Sequence, residues 1–79
     1  MPKSVHSEAY RVFCALLTQG REEAGLTQTA LAERLGKPQS FVSKYEAAER
    51  RLDVVEFLEI AKVLGLDVHA FLDRLLPSI

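Results

Sequence analysis

The sequence predicts an all-α domain built from five short helices. Its apolar residues recur at steps of three and four, which places them on one face of a helix, and no stretch has the alternation typical of a strand. Capping residues and glycines divide the chain at short intervals. Because 79 residues with 48% hydrophobic composition can bury only one small core, we expect a single domain spanning residues 1–79, with its core between about 7 and 76.

The composition excludes several classes of protein but does not identify a function. A charged fraction of 27% and a net charge of −1 are ordinary for a globular protein and do not by themselves indicate nucleic-acid binding. The single cysteine, Cys14, excludes an internal disulfide and a cysteine-rich zinc site, and we expect it to fill apolar space on a helix. There is no apolar run long enough to cross a bilayer and no leader peptide, so the sequence predicts a cytoplasmic protein with no membrane partner.

The first helix is predicted to start at the cap Ser7 and to end near Ala24, with Gly25 closing it in a left-handed turn. Gly20 lies inside this helix, where glycine costs roughly 1 kcal/mol relative to alanine. Two interpretations stay open for it: close approach by another helix, or a tolerated surface glycine. The apolar face of this helix consists of Ala9, Phe13, Leu16, Leu17 and Ala24.

The next segment has the pattern of a helix-turn-helix. Thr27 can cap a short helix over residues 28–35, and Gly36 ends it. Pro38 suits the first turn of a helix, so a second helix is predicted over residues 38–46. Two short helices joined by a few residues that include glycine form this motif, whose second helix can enter the major groove of DNA.

The second helix of this motif is predicted to have a polar outer face. Val42 and Tyr45 can hold its inner side against the core. An amide can pair with adenine, a hydroxyl is permissive, and an ammonium group can reach guanine or a phosphate. Every surface helix needs polar residues, however, so the pattern alone leaves DNA binding and an ordinary solvated face both open. The polar face consists of Gln39, Ser40, Ser43 and Lys44.

Two further helices are predicted after a charged loop over residues 47–52. Asp53 and Glu56 have the spacing of a capping box, and the apolar-periodic run that follows is closed by Gly65. Asp67 can cap a fifth helix, which Pro77 ends.

Several co-spaced segments resemble the XRE family, the helix-turn-helix proteins of the Cro and phage-repressor type. The resemblance covers roughly residues 10–72 and implies a lambda-repressor-like DNA-binding fold and a transcriptional regulator. The segments are Gly25-Leu26-Thr27-Gln28, Leu31-Ala32, Leu35-Gly36, Val42-Ser43-Lys44-Tyr45-Glu46 and Ile60-Ala61-Lys62-Val63-Leu64-Gly65.

The resemblance implies roles for individual residues. Gln28 matches a glutamine that holds a phosphate and braces the recognition helix. Gln39 and Ser40 match the principal base-contacting positions, and Ser43 and Lys44 match further contacts on the same face. We therefore expect double-stranded DNA as the partner.

Four other positions gain an interpretation from the same resemblance. Arg21 and Glu46 match a structural ion pair that joins the first helix to the end of the recognition helix. Phe41 falls where a side chain either touches a thymine methyl group or packs within the domain. Ala48 replaces a glycine found in many members, so we expect that the loop need not be left-handed there.

Basic residues gather in or beside the predicted motif, whereas acidic residues prevail in the last two helices. We expect Lys37 and the loop arginines Arg50 and Arg51 to contact the DNA backbone, with a solvated charged loop as the alternative for the arginines. The acidic residues are Asp53, Glu56, Glu59, Asp67 and Asp73.

The last helix has more apolar surface than a small core obviously needs. Since one short recognition helix touches few base pairs, we expect a homodimer on a palindromic operator, with part of this surface as the dimer interface. The alternative is that these side chains cover the core. The candidates for the interface are Phe71, Leu75, Leu76 and Ile79, with Leu72 beside them.

Two other classes of function have less support in the sequence. His6 and His69 are far apart, and no catalytic pair, glycine-rich phosphate loop or metal-ligand cluster is present, so we expect no enzymatic activity, metal or cofactor. The stronger alternative is a protein-interaction module, such as an antitoxin that binds a toxin. Among regulators, the sequence leaves open a restriction-modification controller, a Cro-like repressor and an antitoxin that represses its own promoter.

Overall fold

The computed structural model describes residues 7–79, which leaves His6 outside the described part of the chain. Within these residues there is no strand, and the predicted all-α fold of five helices is confirmed. The helices are α1 (Glu8–Glu23), α2 (Gln28–Leu35), α3 (Gln39–Glu46), α4 (Val54–Leu64) and α5 (Val68–Leu75), followed by a 3₁₀ helix (Leu76–Ser78).

Side-chain caps fix where four of the five α-helices begin. Each capping oxygen accepts a hydrogen bond from a backbone N–H in the first turn, which satisfies a donor that has no partner inside the helix. At α4 the cap is reciprocal, because Asp53 Oδ1 accepts from Glu56 N at 2.7 Å while Glu56 Oε1 accepts from Asp53 N at 3.0 Å. The four predicted caps are Ser7, Thr27, Asp53 and Asp67, and all are confirmed.

The turn between α2 and α3 brings the two helices of the motif together. Gly36 adopts a left-handed conformation with φ +70°, and Lys37 N donates to Ala32 O at 2.9 Å, which satisfies the end of α2. Pro38 has an extended backbone with ψ 154° and serves as the N-cap. The recognition helix therefore starts at Gln39, one residue later than the range 38–46 predicted from the sequence.

Every helix contributes to one core. Fully buried side chains come from α1 to α4, among them Leu17, Leu31, Tyr45 and Ile60. Three aromatic rings join α1, α4 and α5: Phe13 lies 5.4 Å from Phe57 and 5.8 Å from Phe71 between ring centroids, and Phe57 and Phe71 are 5.0 Å apart. Val42 and Tyr45 of α3 belong to the same core, so α3 is held against the other helices.

Gly20 marks a close approach. A Cβ atom added there would lie 3.0 Å from Leu66 Cδ2, which is tighter than ordinary packing allows without a shift. Of the two interpretations of this glycine, close packing is correct. The approaching side chain belongs to the α4–α5 connection rather than to another helix.

The loop after α3 differs from the sequence prediction at one residue. Ala48 adopts φ +62°, so the left-handed turn is present although alanine stands there. The turn lets Glu49 N donate to Lys44 O at 2.8 Å and satisfies the end of α3. The need to close the helix outweighs the cost of a left-handed alanine, about 1–2 kcal/mol.

Replacing Ala48 with glycine should stabilise the protein. We expect Ala48→Gly to raise the free energy of unfolding by about 0.5–1 kcal/mol, because the relief of the left-handed strain exceeds the entropy that glycine loses. The matched control is Ala47→Gly at the preceding residue, where φ is −83°; it should lower stability by about 0.4–1 kcal/mol. Urea unfolding measures both, and equal losses for the two variants would contradict the account of Ala48.

Candidate nucleic-acid interface

Helix α3 has one face in the core and one face in solvent. Val42 and Tyr45 are fully buried and Phe41 nearly so, which fixes the rotation of the helix about its axis. On the opposite side Gln39, Ser40 and Lys44 are exposed and Ser43 is half-buried. The structure thus places together the four polar side chains that the sequence analysis assigned to base contacts.

A buried ion pair connects α1 to the C-terminal end of α3. Arg21 Nε donates to Glu46 Oε2 at 2.7 Å and Arg21 Nη2 donates to Glu46 Oε1 at 3.1 Å, while Arg21 Nη1 donates to Leu26 O at 2.8 Å. The side chains of Arg21 and Glu46 are only 11% and 6% exposed. Hydrogen bonding to Glu46 raises the pKa of the Arg21 guanidinium, so the charged pair is maintained.

Gln28 extends this ion pair to the outer surface of α3. Its Nε2 donates to Glu46 Oε1 at 2.9 Å, and its Oε1 accepts from Gln39 Nε2 at 2.8 Å. The resemblance to the XRE family implies that Gln28 braces the recognition helix, but its bond to Glu46 was not predicted, because 18 residues separate the two and no local spacing indicates the contact. We call the four residues Arg21, Glu46, Gln28 and Gln39 the polar relay.

Phe41 packs inside the domain and supports two cations at the edge of α3. Its ring is 9% exposed and lies 5.5 Å from the Tyr45 ring in an edge-on arrangement. Lys37 Nζ lies 5.3 Å from the centroid of the Phe41 ring, and Arg50 Cζ lies 4.9 Å from it. These distances are within the range of cation–π attraction. Of the two interpretations of Phe41, packing is the one that the geometry favours.

Arg50 also bonds to the cap of α4. Its Nη1 and Nη2 donate to the two carboxylate oxygens of Glu56 at 3.0 Å each, and Nη1 also donates to Arg51 O at 2.9 Å. The hydrogen bonds from Arg50 and, to a smaller extent, the hydrogen bond from the Asp53 backbone N–H hold the pKa of Glu56 below its ordinary value. Sequence reasoning missed the bond between Arg50 and Glu56, because it depends on the path of the loop.

The predicted interface residues of the C-terminal helix separate into two groups. Phe71 is 5% exposed and belongs to the aromatic core, where its ring joins α5 to α1 and α4; the geometry favours the alternative in which it covers the core. Leu75 is half-buried, whereas Leu76 and Ile79 are 61% and 85% exposed. Leu72, which the sequence placed beside these candidates, is 41% exposed. Three further exposed side chains, Val54, Val55 and Leu58, were not predicted, because apolar periodicity does not reveal which members face solvent.

Other kinds of site find little support in residues 7–79. His69 is exposed, and in this part of the chain no three His, Cys, Asp or Glu residues are grouped so as to hold a metal ion. Across the same residues, none of the helices has the length and apolarity needed to span a membrane.

The two packed helices and the exposed polar face of the second one define a helix-turn-helix domain. A family model described as helix-turn-helix matches residues 17–71, more than half of the chain. Among solved structures, an XRE-family like protein from Pseudomonas syringae pv. tomato str. DC3000 is 51% identical, with a TM-score of 0.82; the match covers 90% of this chain and 87% of that one. This chain belongs to the XRE family and is a DNA-binding transcriptional regulator.

A more distant structure shares the fold. A point mutant of the restriction-modification controller protein C.Esp1396I is 24% identical, with a TM-score of 0.76, and the match covers 99% of this chain and 94% of that one. A search of the curated proteins gave no match. The XRE fold is typical of regulators that bind DNA without enzymatic activity.

Removing Arg21 should be strongly destabilising. We expect Arg21→Ala to lower the free energy of unfolding by about 3–5 kcal/mol, because it leaves the Glu46 carboxylate buried and unpaired. The control is Lys62→Ala, which removes a positive charge from an exposed position on α4 and should change stability by no more than about 0.5 kcal/mol. Urea unfolding compares the two, and a neutral Arg21→Ala would show that the pair has no structural role.

Proposed function

We propose that this protein is a sequence-specific regulator that binds a twofold symmetric operator as a homodimer, with α3 in the major groove of each half-site. The observation that carries the proposal is the exposed polar face of α3, on a helix whose other face is fixed in the core. A helix held in this way presents its side chains to a base edge with little freedom to move. Direct readout depends on that geometry.

The polar face supplies several kinds of hydrogen-bonding group. Gln39 has an amide that can both donate and accept, Ser40 and Ser43 have hydroxyl groups, and Lys44 has an ammonium group. We assign Gln39 and Ser40 to base edges near the start of α3. Ser43 and Lys44, one turn further along, are assigned to the adjacent bases or to a phosphate.

Phosphate contacts are assigned to Gln28, Lys37 and Arg50. Gln28 lies at the first residue of α2, where backbone N–H groups and the helix dipole also favour an anion. Lys37 and Arg50 both lie against the Phe41 ring of α3. These contacts would orient the domain on the duplex, and the base contacts would select the sequence.

A single copy of this domain is too small to define an operator. The eight residues of α3 extend for about 12 Å, which corresponds to roughly three or four base pairs along the DNA axis. Two copies related by a twofold axis would double the sequence that is read. The two half-sites would then lie about one helical turn apart.

An exposed apolar surface on α4 and α5 is the proposed dimer interface. Four of its side chains, Val54, Leu58, Leu72 and Ile79, line an open groove of about 490 Å³, which shares no residue with the polar face of α3. In a symmetric dimer one apolar surface faces its own copy, so a surface with both a groove and protruding side chains can be self-complementary. This apolar surface consists of Val54, Val55, Leu58, Leu72, Leu76 and Ile79.

The same apolar surface favours a second candidate function, a module that binds another protein, as an antitoxin binds a toxin. A contiguous apolar surface marks an interaction site without naming its occupant. A module that binds only protein needs a solvated outer face on α3, but not the combination of amide, hydroxyl and ammonium groups that can read base edges. For that reason we take a second copy of this chain as the occupant and the regulator as the function.

Selection from random duplexes tests the assignment of the polar face. We expect the wild type to enrich a palindromic site, and Gln39→Ala/Lys44→Ala to lose it. The plot of log affinity against log salt should have a slope of about −0.9 for each phosphate contacted. The matched control is Gln19→Ala/Lys62→Ala, which removes the same two residue types from exposed positions on α1 and α4 and should select the wild-type site. Failure of the wild type to enrich any site would favour the protein-binding candidate.

Sedimentation of variants tests the dimer surface. We expect the wild type to dimerise in the micromolar range, and Leu58→Glu/Ile79→Glu to remain monomeric, because two carboxylates would be buried in an apolar interface. Both side chains are exposed in the monomer, so the fold should persist. Ala15→Glu, at an exposed position on α1, is the control and should dimerise normally. A wild type that stays monomeric at high micromolar concentration rules the dimer out.

A further inference from the structure

The hydrogen bonds of the polar relay converge on Glu46, which accepts from Arg21 on one side and from Gln28 on the other, while Gln28 accepts from Gln39. We propose that Glu46, acting through Gln28, holds the Gln39 side-chain amide in the orientation that selects adenine over guanine. This inference deepens the proposed function and rests on the assignment of Gln39 to a base edge. Glu46 is then a positioning residue for sequence recognition, in addition to being one half of a structural ion pair.

The direction of the relay is set at Glu46. An ionised carboxylate can only accept hydrogen bonds, and the Arg21 guanidinium, which can only donate, occupies both of its oxygens. Gln28 must therefore turn its NH₂ group toward Glu46, as the bond of 2.9 Å to Oε1 shows. The carbonyl oxygen of Gln28 consequently points away from Glu46 and toward α3.

The orientation of the Gln39 side-chain amide follows from the same reasoning. The Gln28 carbonyl accepts from Gln39 Nε2 at 2.8 Å, which uses one of the two amide hydrogens of Gln39. Its second N–H and its carbonyl oxygen remain for DNA. Gln39 is thus presented as one donor beside one acceptor.

This pair of groups matches one purine and not the other. In the major groove adenine presents N7 as an acceptor beside the N6 amino donor, whereas guanine presents N7 and O6, which are both acceptors. The oriented Gln39 can bond to both groups of adenine, but its carbonyl oxygen would face an acceptor of guanine. A Gln39 released from the relay could turn over and offer both N–H groups to guanine.

Burial makes this orientation resistant to exchange with solvent. The Glu46 side chain is 6% exposed and the Arg21 side chain 11%, and Gln28 is half-buried. Water therefore has little access to the bonds that set the direction. Gln39 is itself exposed, so the constraint comes from beneath the reading surface and leaves the outer side of the amide open to a base.

Two variants should release Gln39 by different routes. Glu46→Gln replaces one carboxylate oxygen with an NH₂ group. At the Oε1 position, where Arg21 Nη2 and Gln28 Nε2 both donate, that group cannot accept, so the bond that orients Gln28 is lost. In Gln28→Met, the link to Gln39 is removed while the bond between Arg21 and Glu46 stays intact. The second variant keeps the test valid if the first one fails to fold, which urea unfolding establishes.

The experiment measures base preference rather than affinity alone. The operator obtained by selection is first used to find the base pair whose preference Gln39→Ala abolishes. Duplexes with adenine or guanine at that position are then titrated with each variant. We expect the wild type to prefer adenine by about tenfold or more, and Glu46→Gln and Gln28→Met to prefer it by about threefold or less. Lys44→Ala is the control: it should weaken binding to both duplexes and leave their ratio unchanged.

The outcomes separate this inference from the proposed function. A base pair that depends on Gln39, with a wild-type preference for guanine, overturns the relay and leaves the regulator in place. If both relay variants fold and retain the adenine preference, the relay is also overturned and the proposed regulator is unaffected. No selected operator, or no base pair that depends on Gln39, overturns the proposed base contact and the relay together. A lowered ratio in the relay variants with an unchanged ratio in Lys44→Ala supports the relay.

Discussion

The buried contact between Arg21 and Glu46 is the interaction on which the functional surface depends. It joins the end of α1 to the end of α3 across 25 residues of sequence. The core fixes the depth and rotation of α3 through Val42 and Tyr45, but apolar packing alone does not define a polar orientation. A charged pair with bonds of fixed direction supplies what packing lacks. Gln28 and Gln39 carry that direction to the solvent side of the helix.

The loop after α3 has a comparable dependence on one acidic residue. Glu56 completes the capping box of α4 and also accepts both hydrogen bonds from Arg50. The start of α4 and the position of Arg50 beside α3 are therefore determined together. Tyr10 contributes a further restraint, since its hydroxyl group donates to Arg50 O at 3.2 Å. The charged loop is thus held on both sides although most of its residues are exposed.

Much of the fold could be predicted from the sequence, because the signals that define the helices are local. Caps such as Thr27 and Asp67 act on a backbone N–H three residues away, and Gly36 acts within its own turn. Contacts between distant elements were harder to foresee. The core position of Phe71, the bond from Gln28 to Glu46 and that from Arg50 to Glu56 depend on how helices and loops meet. Ala48 is a different case, in which the need to close α3 overrides the backbone preference of a single residue.

The contact of two cations with the Phe41 ring has a consequence for the entropy of binding. Lysine and arginine side chains ordinarily lose much of their rotational freedom when they close on a phosphate. Lys37 and Arg50 lie against the same aromatic ring, at 5.3 Å and 4.9 Å, before any ligand is present. Part of that ordering is therefore completed when the chain folds. If Lys37 and Arg50 contact phosphates as proposed, less side-chain entropy is lost when the complex with DNA forms.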